Sequence, residues 1–577
     1  MGFAQYHWIL KLPPREIVEE LRHRGGFPEL LAVLLANRGF RDPRRAHAFL
    51  YPELSDFADP MTIPEMPEAV RTLAEALTAG EPIGIYADYD ADGVTGAALL
   101  HLFLREIGAR TEVLFPHRER DGYGFHAHLL PFFREKGVRV LVTVDCGITG
   151  HEAVIEARRL GLQVIVTDHH ELPPRLPPAR AVITGKRLPG DSPFHDLAGV
   201  GTVLALVRAL RRYLLETGFF SSRPVPNLKR YLDLAALGTL ADMVPLRGEN
   251  RLIAFFGLAE LSSSERPGIK ALMEVSGVNG AVGTEEVLFR LAPRINAAGR
   301  LREARLAFEL LVSHDPERAR ELAAELNRLN SERQRVEERV LAEALARMEG
   351  TDPPAGIVLY GEDWPLGVLG IAAGRIAERF YRPVVLLTRK GEVLKGSGRS
   401  IPEVDLYRAF RLCQQNLLAY GGHPAAGGLK ISPEALEEFQ RAFARAVEHL
   451  LSEKGLRSPL KPRLTLEGQV RLREVLDPEF VEGFQRLAPF GPGNPEPVLA
   501  FSGFEVRQPR LVAEKHLRFT LWQEGLGLSA VGFNFPEKAL TFLNEGGGRL
   551  YLAASPCISE FQGNRYLELR IKDLARR

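Results

Sequence analysis

The feature that most constrains this chain is an acidic turn within residues 83–96, whose sequence is IGIYADYDADGVTG. Three carboxylates, Asp88, Asp90 and Asp92, occupy alternate positions directly after an apolar run. The run predicts a buried β-strand, and the residues from Thr95 onward predict the helix that follows. Ligands bind at such strand-to-helix turns in open α/β sheets. Because clustered acids repel one another, a cation is expected there, and oxygen ligands suit Mg²⁺ or Mn²⁺.

An EF-hand calcium loop spaces its acids in the same way, so calcium binding is a competing interpretation of this turn. Such a loop needs glycine at its sixth position and glutamate at its twelfth. Gly93 stands sixth from Asp88, but Leu99 occupies the twelfth position, so the calcium interpretation fails. A solvated acidic turn that binds no metal stays open as the simpler alternative.

Predicted strands alternate with predicted helices after this turn. Apolar runs at 83–86, 112–115, 138–144, 164–167 and 181–184 are separated by helical patterns such as 152–160. This alternation is typical of a parallel sheet covered by helices. The carboxyl ends of its strands would meet at one edge, where residues that follow different strands come together.

Residues that commonly bind metals follow two more of the predicted strands. Asp145 follows the run at 138–144, and Asp168, His169 and His170 follow the run at 164–167. A single aspartate in this position often only caps a helix, which is the simpler interpretation for Asp145 alone. A vicinal histidine pair is less common, and imidazoles bind transition metals. All of these residues are therefore predicted to lie beside the acidic turn.

Asp242 lies inside the apolar stretch at 237–246, where an unpaired charge is costly. It needs a metal or a basic partner, and the acids upstream favour a metal. The predicted ligands then suffice for two ions. Paired ions recur in phosphoester hydrolysis, where one helps to generate the attacking hydroxide and both stabilise the oxygens of an in-line displacement. In the loop at 115–124, Arg118 or Arg120 could hold a phosphate, although a solvated loop is an equal alternative.

Four short motifs in this order resemble those of the DHH phosphoesterase superfamily. They are DYDADG at 88–93, VDCG at 144–147, DHH at 168–170 and ADMVPL at 241–246. Within the superfamily, the chain most resembles the RecJ family of single-strand-specific 5′-to-3′ DNA exonucleases, over nearly its whole length. The resemblance implies two bound Mn²⁺ or Mg²⁺ ions, with the ligands Asp90, Asp92, Asp145, His169 and Asp242.

The resemblance also implies roles for individual residues of the predicted site. Asp145 would bridge the two ions, and Asp88 would be either a further ligand or an acid behind the ligands. Asp168 would be an orienting partner, and His170 would contact the scissile phosphate. The catalytic residues implied by the resemblance are thus Asp145, Asp168, His169 and His170.

Residues 291–301, with the sequence LAPRINAAGRL, also resemble a RecJ segment, in which Arg294 or Arg300 would bind the phosphate backbone. The pattern at 315–348 predicts one long helix, with Asp315 as its N-cap and Pro316 at its first position. Its apolar stripe favours a connection between two lobes, and a coiled-coil dimer is the alternative.

Residues 356–430 predict a second α/β lobe with two glycine-rich segments, KGSGRS at 395–400 and GGHPAAGG at 421–428. Glycine-rich turns are usually only turns, although exposed backbone amides can form an anion-binding nest. The lobe resembles the DHH-associated substrate-binding domain. That resemblance implies contacts to nucleic acid, including its 5′-terminal phosphate, from Ser397, Arg399, Gly422 and His423.

From residue 463 onward, short alternating strands predict a small all-β barrel, for which an OB-fold is our choice. OB barrels bind single strands with a basic groove and stacked aromatic side chains. The candidate contacts are Lys515, His516, Arg518, Phe519 and Trp522. At least half of the aromatic candidates are expected in the core, because alternate strand residues point inward.

Cysteine content and charge bear on location and partners. The three cysteines form no paired framework or metal-ligand spacing, which predicts reduced thiols in the cytoplasm. No signal peptide and no membrane-spanning run are recognisable, so no membrane association is expected. A net charge of +1 neither supports nor excludes a nucleic-acid partner. The family resemblance implies single-stranded DNA, a single-strand-binding protein and a recombination helicase as partners.

The complete prediction is a two-lobed α/β phosphoesterase with a C-terminal OB barrel. Its domains are an N-terminal helical region at 1–80, a DHH catalytic domain at 81–300, a connecting helix at 301–354, a substrate-binding domain at 355–458 and an OB-fold at 459–577. The resemblance implies degradation of single-stranded DNA from 5′ to 3′ into 5′-mononucleotides, in DNA repair and recombination. The alternatives are a DHH phosphodiesterase for short oligonucleotides or cyclic dinucleotides, and a non-catalytic helicase scaffold of the same fold.

Overall fold

A computed structural model gives the fold of residues 5–513, 515–535, 538–544, 549–561 and 564–576. The chain divides into two compact units: the larger is Phe57–Leu460, and the smaller joins Met1–Asp56 to Lys461–Arg577. In sequence, the larger unit is therefore inserted between the two parts of the smaller one. Over the described ranges, no helix combines the length and the hydropathy that crossing a membrane requires.

The N-terminal part of the smaller unit is mainly helical. Its elements are β1 (His7–Leu10), α1 (Arg15–Gly25), α2 (Glu29–Asn37) and α3 (Pro43–Leu50). Asp42 caps α3 by accepting a hydrogen bond from the backbone N–H of Arg44, and Pro43 fills the first helical position. The buried leucines of α2 join the same hydrophobic core as the C-terminal strands.

A five-stranded parallel sheet organises the first part of the larger unit. The elements of this lobe are α4 (Met66–Thr78), β2 (Ile83–Ala87), α5 (Ala91–Glu106), β3 (Thr111–Leu114), α6 (Pro131–Glu135), β4 (Val140–Val144), α7 (His151–Arg159), β5 (Gln163–Thr167) and β6 (Ala181–Ile183). Every residue of β2 and β4 is buried, which explains their unbroken apolar sequences. The predicted parallel α/β sheet is confirmed.

The strand order of this sheet is β3-β2-β4-β5-β6. The chain therefore leaves β2 toward one side of the sheet and later continues from β4 toward the other side. Such a reversal opens a crevice beyond the carboxyl ends of the two strands, where ligands bind in α/β proteins. The acidic turn follows β2 and Asp145 follows β4, so both lie at this crevice.

A helical layer follows the parallel sheet. It consists of α8 (Gly199–Glu216), α9 (Leu232–Ala241), α10 (Gly248–Ser262), α11 (Pro267–Val275), α12 (Thr284–Glu286), α13 (Ala292–Leu301), α14 (Arg305–Val312) and α15 (Pro316–Ala346), with a π-helical turn at Val287–Leu291 before α13. The long α15 is the predicted connecting helix, and the Asp315 side chain caps it by accepting from the backbone N–H of Glu317.

The second lobe of the larger unit has a mixed sheet with the order β10-β11-β9-β8-β7. Its elements are β7 (Ile357–Gly361), α16 (Leu366–Phe380), β8 (Val384–Lys390), β9 (Val393–Arg399), α17 (Leu406–Leu412), β10 (Ala419–Gly422), β11 (Ala426–Ile431) and α18 (Leu436–Ser452). Strands β9 and β11 pair side by side, with Gly428 opposite Ser397 and Ala426 opposite Arg399. The two glycine-rich segments, distant in sequence, are thus neighbours.

The C-terminal part of the smaller unit is a seven-stranded sheet with the order β13-β14-β18-β19-β17-β16-β15. Its elements, with the preceding strand β12, are β12 (Arg463–Leu466), β13 (Gln469–Val470), α19 (Leu472–Val475), α20 (Pro478–Leu487), β14 (Leu499–Ser502), β15 (Glu505–Val512), β16 (His516–Gln523), β17 (Leu526–Gly532), α21 (Lys538–Asn544), β18 (Leu550–Phe561) and β19 (Asn564–Arg576).

Two local features of the smaller unit differ from the sequence-based expectations. Strand β1 lies in a region expected to be helical, and it pairs in parallel with β12, more than 400 residues away. The region after residue 463 also contains helices, among them α20, where Asp477 is the N-cap and Pro478 the first helical residue. That Asp-Pro pair was the available signal for α20, whereas the β1–β12 pairing leaves no local trace in the sequence.

Candidate active site

The acidic turn connects β2 to α5, and its three carboxylates have different surroundings. Asp90 caps α5: its side chain accepts hydrogen bonds from the backbone N–H groups of Asp92, at 2.9 Å, and Gly93, at 3.1 Å. Gly93 approaches the backbone of Asp88 so closely that a Cβ would lie 2.4 Å from its carbonyl oxygen. The turn therefore requires glycine at this position. Helix α5 begins at Ala91, earlier than the sequence pattern indicated.

The N-terminus of α8 binds the Asp92 carboxylate through backbone N–H groups. The two oxygens of this buried carboxylate accept hydrogen bonds from the backbone N–H groups of Gly199, at 2.6 Å, and Val200, at 2.8 Å. A helix N-terminus favours negative charge, so this arrangement fixes the side chain without a basic residue. Gly199 also packs against Asp145, where a Cβ on residue 199 would lie 2.6 Å from the Asp145 Cβ.

Asp145 follows β4 with a left-handed backbone, at φ 60°, which is uncommon and strained for a residue other than glycine. Its side chain is buried, and so is that of Asp88. Among the described residues, neither Asp145 Oδ1 nor Asp88 Oδ1 has a hydrogen-bond partner of good geometry. Buried carboxylate oxygens without such partners are costly, and a bound cation would satisfy them.

Asp168 is fully buried and accepts four hydrogen bonds. Three come from the backbone N–H groups of Ile148, His169 and His170, and the fourth comes from the His170 ring at Nδ1, 2.8 Å away. Burial alone would raise the pKa of Asp168, but the hydrogen bonds, first of all the one from the His170 ring, outweigh it and lower the pKa. Asp168 is therefore an ionised acceptor that fixes the orientation of His170.

Six ligand-type residues predicted from the sequence lie together, and His170 lies with them. Among the described residues, three overlapping groups have ligand atoms within 4.8 Å of one another, namely Asp88–Asp90–Asp145, Asp92–His169–Asp242 and Asp145–His169–His170. From His169 Nε2, the distances to carboxylate oxygens are 3.0 Å for Asp145, 3.5 Å for Asp242 and 3.9 Å for Asp92. Because Asp145 belongs to two of the groups, its position suits a ligand shared by two ions.

Burial and mutual repulsion set the charge of these groups. Burial raises the pKa of Asp88 and Asp145 well above the usual range, and neighbouring carboxylates add to the effect. The same causes raise the pKa of Asp92 to about 7 and that of Asp242 to about 9. Burial, with the charge of His170, lowers the pKa of His169 to about 4, so its imidazole is neutral, as a metal ligand must be. This oxygen-rich set with one neutral imidazole fits divalent Mn²⁺ or Mg²⁺.

Arginines from both lobes of the larger unit approach the acidic turn. The Arg118 guanidinium lies over the Tyr89 ring, 5.1 Å from its centroid, and Arg300 Nη1 donates to the Gly367 carbonyl at 3.0 Å. Burial lowers the pKa of Arg300 to about 10, and the charges of Arg118, Arg333 and Arg399 contribute to this shift. The structure thus brings three of the predicted phosphate-binding arginines close together, where an anion would relieve their repulsion.

Some predicted contacts are already engaged within the protein. Arg294 donates to Asn327 Oδ1 and to the carbonyls of Arg290 and Val275, which ties α13 to α15 and α11. Ser397 Oγ accepts a hydrogen bond from Arg399 at 3.3 Å.

The glycine-rich segment at 421–428 forms a tight turn between β10 and β11. Gly422 has φ 135°, and a Cβ there would lie 2.4 Å from the Ala426 carbonyl oxygen, so the position requires glycine. His423, which follows it, is exposed.

In the OB region, alternation along β16 separates surface from core. Lys515 and Arg518 are exposed, whereas Phe519 is 2% exposed and belongs to the hydrophobic core. Trp522 is half-buried, and the Arg507 guanidinium lies over its ring at 3.9 Å. At least half of the aromatic candidates were expected in the core, and of Phe519 and Trp522 the structure places Phe519 there.

Two residues near the site were not anticipated from the sequence. Tyr123 Oη lies 3.0 Å from His170 Nδ1 and 3.4 Å from the Asp145 carbonyl oxygen. Arg333 is buried on α15, where it is paired with Glu337 at 2.5 Å. A signal existed for Arg333, because Arg333 and Glu337 interrupt the apolar stripe of α15 at positions that face inward. The loop sequence around Tyr123 carried no comparable signal.

Similar proteins match nearly the whole chain. Models of the DHH family N-terminal domain, the DHHA1 domain and the RecJ OB domain match residues 82–239, 354–449 and 466–573. The chain is 36% identical to the single-stranded-DNA-specific exonuclease RecJ of Bacillus subtilis (strain 168), over 99% of this chain and 71% of that protein.

Solved structures agree with these sequence matches. The crystal structure of RecJ from Thermus thermophilus in complex with Mn²⁺ matches with a TM-score of 0.82 at 30% identity, covering 99% of this chain and 79% of that one. The complex of that RecJ with Mg²⁺ gives a TM-score of 0.77 at 29% identity over the same shares. With its acid and histidine cluster and with matches along its full length, this chain belongs to the RecJ family of single-stranded-DNA-specific exonucleases.

Proposed function

We propose that this protein degrades single-stranded DNA from the 5′ end and releases 5′-mononucleotides, in a hydrolysis that depends on two Mn²⁺ or Mg²⁺ ions. The observation that carries the proposal is the clustering of Asp88, Asp90, Asp92, Asp145, His169 and Asp242 at the switch point of the parallel sheet. Ions held there would activate water and stabilise the charge that develops on the phosphate oxygens. Asp88, Asp92 and Asp145 are buried and the other three are partly buried, so a site without a cation would carry a high cost of desolvation and repulsion.

Within this proposal, the ions would be held by Asp90, Asp92, Asp145, His169 and Asp242. Asp145 would be a ligand of both ions, and Asp88 would supply a further oxygen. The backbone amides of α8 keep the Asp92 carboxylate in place before any ion binds. Such support restricts the rotation of the ligand and preserves the spacing of the donor atoms.

His170 contacts the scissile phosphate in this proposal. Its Nδ1 is bound to the Asp168 carboxylate, which leaves Nε2 as the nitrogen that can donate to a phosphate oxygen. Burial lowers the pKa of His170, but the hydrogen bond to Asp168 outweighs this effect and raises the pKa, which favours a positive charge near the phosphate.

The 5′-terminal phosphate of the strand is bound by Arg118, Arg300 and Arg399, together with Ser397. Several buried or half-buried guanidinium groups with few acidic partners form a strong site for a doubly charged terminal phosphate. Anchoring the 5′ phosphate beside the metal centre would place the first phosphodiester bond at the ions, which accounts for cleavage from the 5′ end. Gly422 and His423 continue the strand contacts. Arg294, which donates three hydrogen bonds within the protein, contributes to the backbone path through its remaining N–H groups.

The OB region also binds the single strand, through exposed cations such as Lys515 and Arg518. The five domain limits at 1–80, 81–300, 301–354, 355–458 and 459–577 are part of the proposal. Family analogy supports a cytoplasmic role in DNA repair and recombination, with a single-strand-binding protein and a recombination helicase as partners.

The test is digestion of a 3′-labelled oligonucleotide, single-stranded or in a duplex, with Mn²⁺, Mg²⁺ or EDTA. The proposal requires a ladder that shortens from the 5′ end, for the single strand only and only with metal. Cleavage of dinucleotides alone would support a small-substrate phosphodiesterase instead. No cleavage of either, with DNA still bound, would support the scaffold alternative.

A further inference from the structure

Arg118 is held beside the acidic turn in an unusual way. Among the residues that the structure describes, none accepts a hydrogen bond from the Arg118 guanidinium or forms an ion pair with it, and its contact is with the face of the Tyr89 ring at 5.1 Å. Stacking on an aromatic face leaves the N–H donors at the edge of the guanidinium available. Arg118 is thus oriented without losing its capacity to bind an anion.

The Tyr89 ring is itself fixed. It is 8% exposed and lies between Asp88 and Asp90 in the acidic turn. Helix α13 holds the backbone on both sides: Gly299 packs so closely that a Cβ would lie 2.4 Å from the Tyr89 carbonyl oxygen, and Asn296 Oδ1 accepts from the Ala91 N–H at 2.8 Å. The Tyr89 ring on which Arg118 stacks therefore has little freedom to move.

Arg118 lies between the acidic turn and the other arginines of the site. Its charge acts on the Asp88 carboxyl on one side and on the guanidinium groups of Arg300 and Arg399 on the other. An arginine between an acidic cluster and other arginines would be drawn toward the acids if nothing held it. The stacking on Tyr89 opposes that shift and keeps the guanidinium available to a phosphate.

We propose that Tyr89 is a positioning residue whose ring orients Arg118 toward the 5′-terminal phosphate of the strand. This inference rests on the proposed function, in which Arg118 binds that phosphate. The aromatic face is the required property, and the Tyr89 hydroxyl contributes little. Tyr89 acts on DNA only through Arg118, so the loss of either residue should produce the same defect.

The test is the affinity for 5′-phosphorylated and 5′-hydroxyl oligonucleotides in EDTA, where no cleavage occurs, measured by fluorescence anisotropy. Tyr89→Leu should weaken binding of the phosphorylated strand by about 5- to 30-fold, the range expected for a desolvated cation–π contact, and should leave the hydroxyl strand nearly unaffected. Tyr89→Phe should retain the preference for the 5′ phosphate. Tyr51→Leu removes a comparable stack under Arg486, 4.9 Å away in the smaller unit, and should retain it too.

A double-mutant cycle with Arg118→Ala separates the inference from the function on which it rests. Tyr89→Leu combined with Arg118→Ala should bind the phosphorylated strand no more weakly than Arg118→Ala alone. Multiplied losses, or wild-type binding by Tyr89→Leu, would overturn the role of Tyr89 while leaving that of Arg118 intact. An Arg118→Ala protein that keeps its 5′-phosphate preference would instead overturn the phosphate assignment itself.

Calorimetric titration with Mn²⁺ tests whether Tyr89→Leu acts through its acidic neighbours. The inference requires unchanged Mn²⁺ affinity. A loss of Mn²⁺ affinity with an intact 5′-phosphate preference would show that residue 89 supports the metal ligands and not Arg118.

Discussion

Asp145 Oδ1 lies 3.0 Å from His169 Nε2, although the two residues follow different strands, β4 and β5, of the parallel sheet. Burial raises the pKa of Asp145 and lowers that of His169 to about 4. Both shifts oppose a charged carboxylate–imidazolium pair at this contact. A divalent cation bound there would favour the ionised carboxylate and the neutral imidazole, which are the forms that act as ligands.

Asp145→Asn should reduce metal-dependent hydrolysis of single-stranded DNA by about a thousandfold or more, since the ligand supports transition-state stabilisation worth several kcal/mol. DNA affinity in EDTA should change little, because the proposed DNA contacts are elsewhere. The matched control is Asp191→Asn, which alters an exposed acid of the same lobe. Loss of DNA binding together with hydrolysis would contradict the assignment of Asp145 as a ligand.

Gly199→Ala should weaken Mn²⁺ binding by about 10- to 100-fold, as is typical when the support of a metal ligand is disturbed. The added Cβ would lie 2.6 Å from the Asp145 Cβ, so either α8 or Asp145 must shift. Isothermal titration with Mn²⁺ measures the effect. Gly190→Ala is the control, because no atom lies within 4 Å of the Cβ it would add. Equal Mn²⁺ affinities of the two variants would exclude the predicted displacement.

The stability of the metal-free protein should fall as the pH rises from about 4 toward 9. Burial raises the pKa of Asp242 to about 9 and that of Asp92 to about 7, so the folded protein binds protons that the unfolded chain releases. The stability gained from such protons is complete below the unfolded pKa, about 3.9, and is lost as the pH rises through the folded pKa.

Thermal unfolding in EDTA across this pH range measures that slope. Asp242→Asn should flatten it, and saturating Mn²⁺ should flatten it as well, because the bound cation replaces the protons. The affinity for Mn²⁺ should rise over the same interval, since each ligand must lose its proton before it binds. An unchanged slope in Asp242→Asn would show that this carboxyl titrates in its ordinary range.

Glu337→Ala should lower the free energy of unfolding by about 3–5 kcal/mol, the usual cost of removing one partner from a buried ion pair. Glu337 is 1% exposed and contacts Arg333 at 2.5 Å and Arg375 at 2.7 Å. Denaturant titration measures the loss. Glu338→Ala, an exposed acid one position along α15, is expected to remain within about 0.5 kcal/mol of the wild type. Similar losses in both variants would point to helix propensity as the cause.

The sequence was sufficient to predict the parallel sheet and the clustering of its ligands. The alternation of strands with helices predicts a parallel sheet, in which the carboxyl ends of all strands meet at one edge. Asp90, Asp145 and His169 could therefore be placed at that edge from the sequence. The long helix α15 was predictable because Asp315 and Pro316 mark its start and an apolar stripe continues along it. These features were predictable because each depends on the order of residues within one short segment of the chain.

What could not be predicted depends on contacts between distant segments. The support of Asp92 by the amides of Gly199 and Val200 joins residues more than 100 positions apart, and backbone donors carry no side-chain signal. The pairing of β1 with β12 and the stacking of Arg118 on Tyr89 likewise follow from how whole elements pack. Sequence patterns indicate that such elements exist but do not fix their distances.

The support that α8 gives to Asp92 and Asp145 has a consequence for how the enzyme is made in the cell. The proposed ligands are spread from residue 88 to residue 242. Gly199, which binds Asp92 and packs against Asp145, lies between these limits. A growing polypeptide on the ribosome therefore carries acids of the right kind long before it carries a competent nuclease. The proposed metal site therefore stays incomplete until the chain has been synthesised through residue 242, which delays the first cleavage.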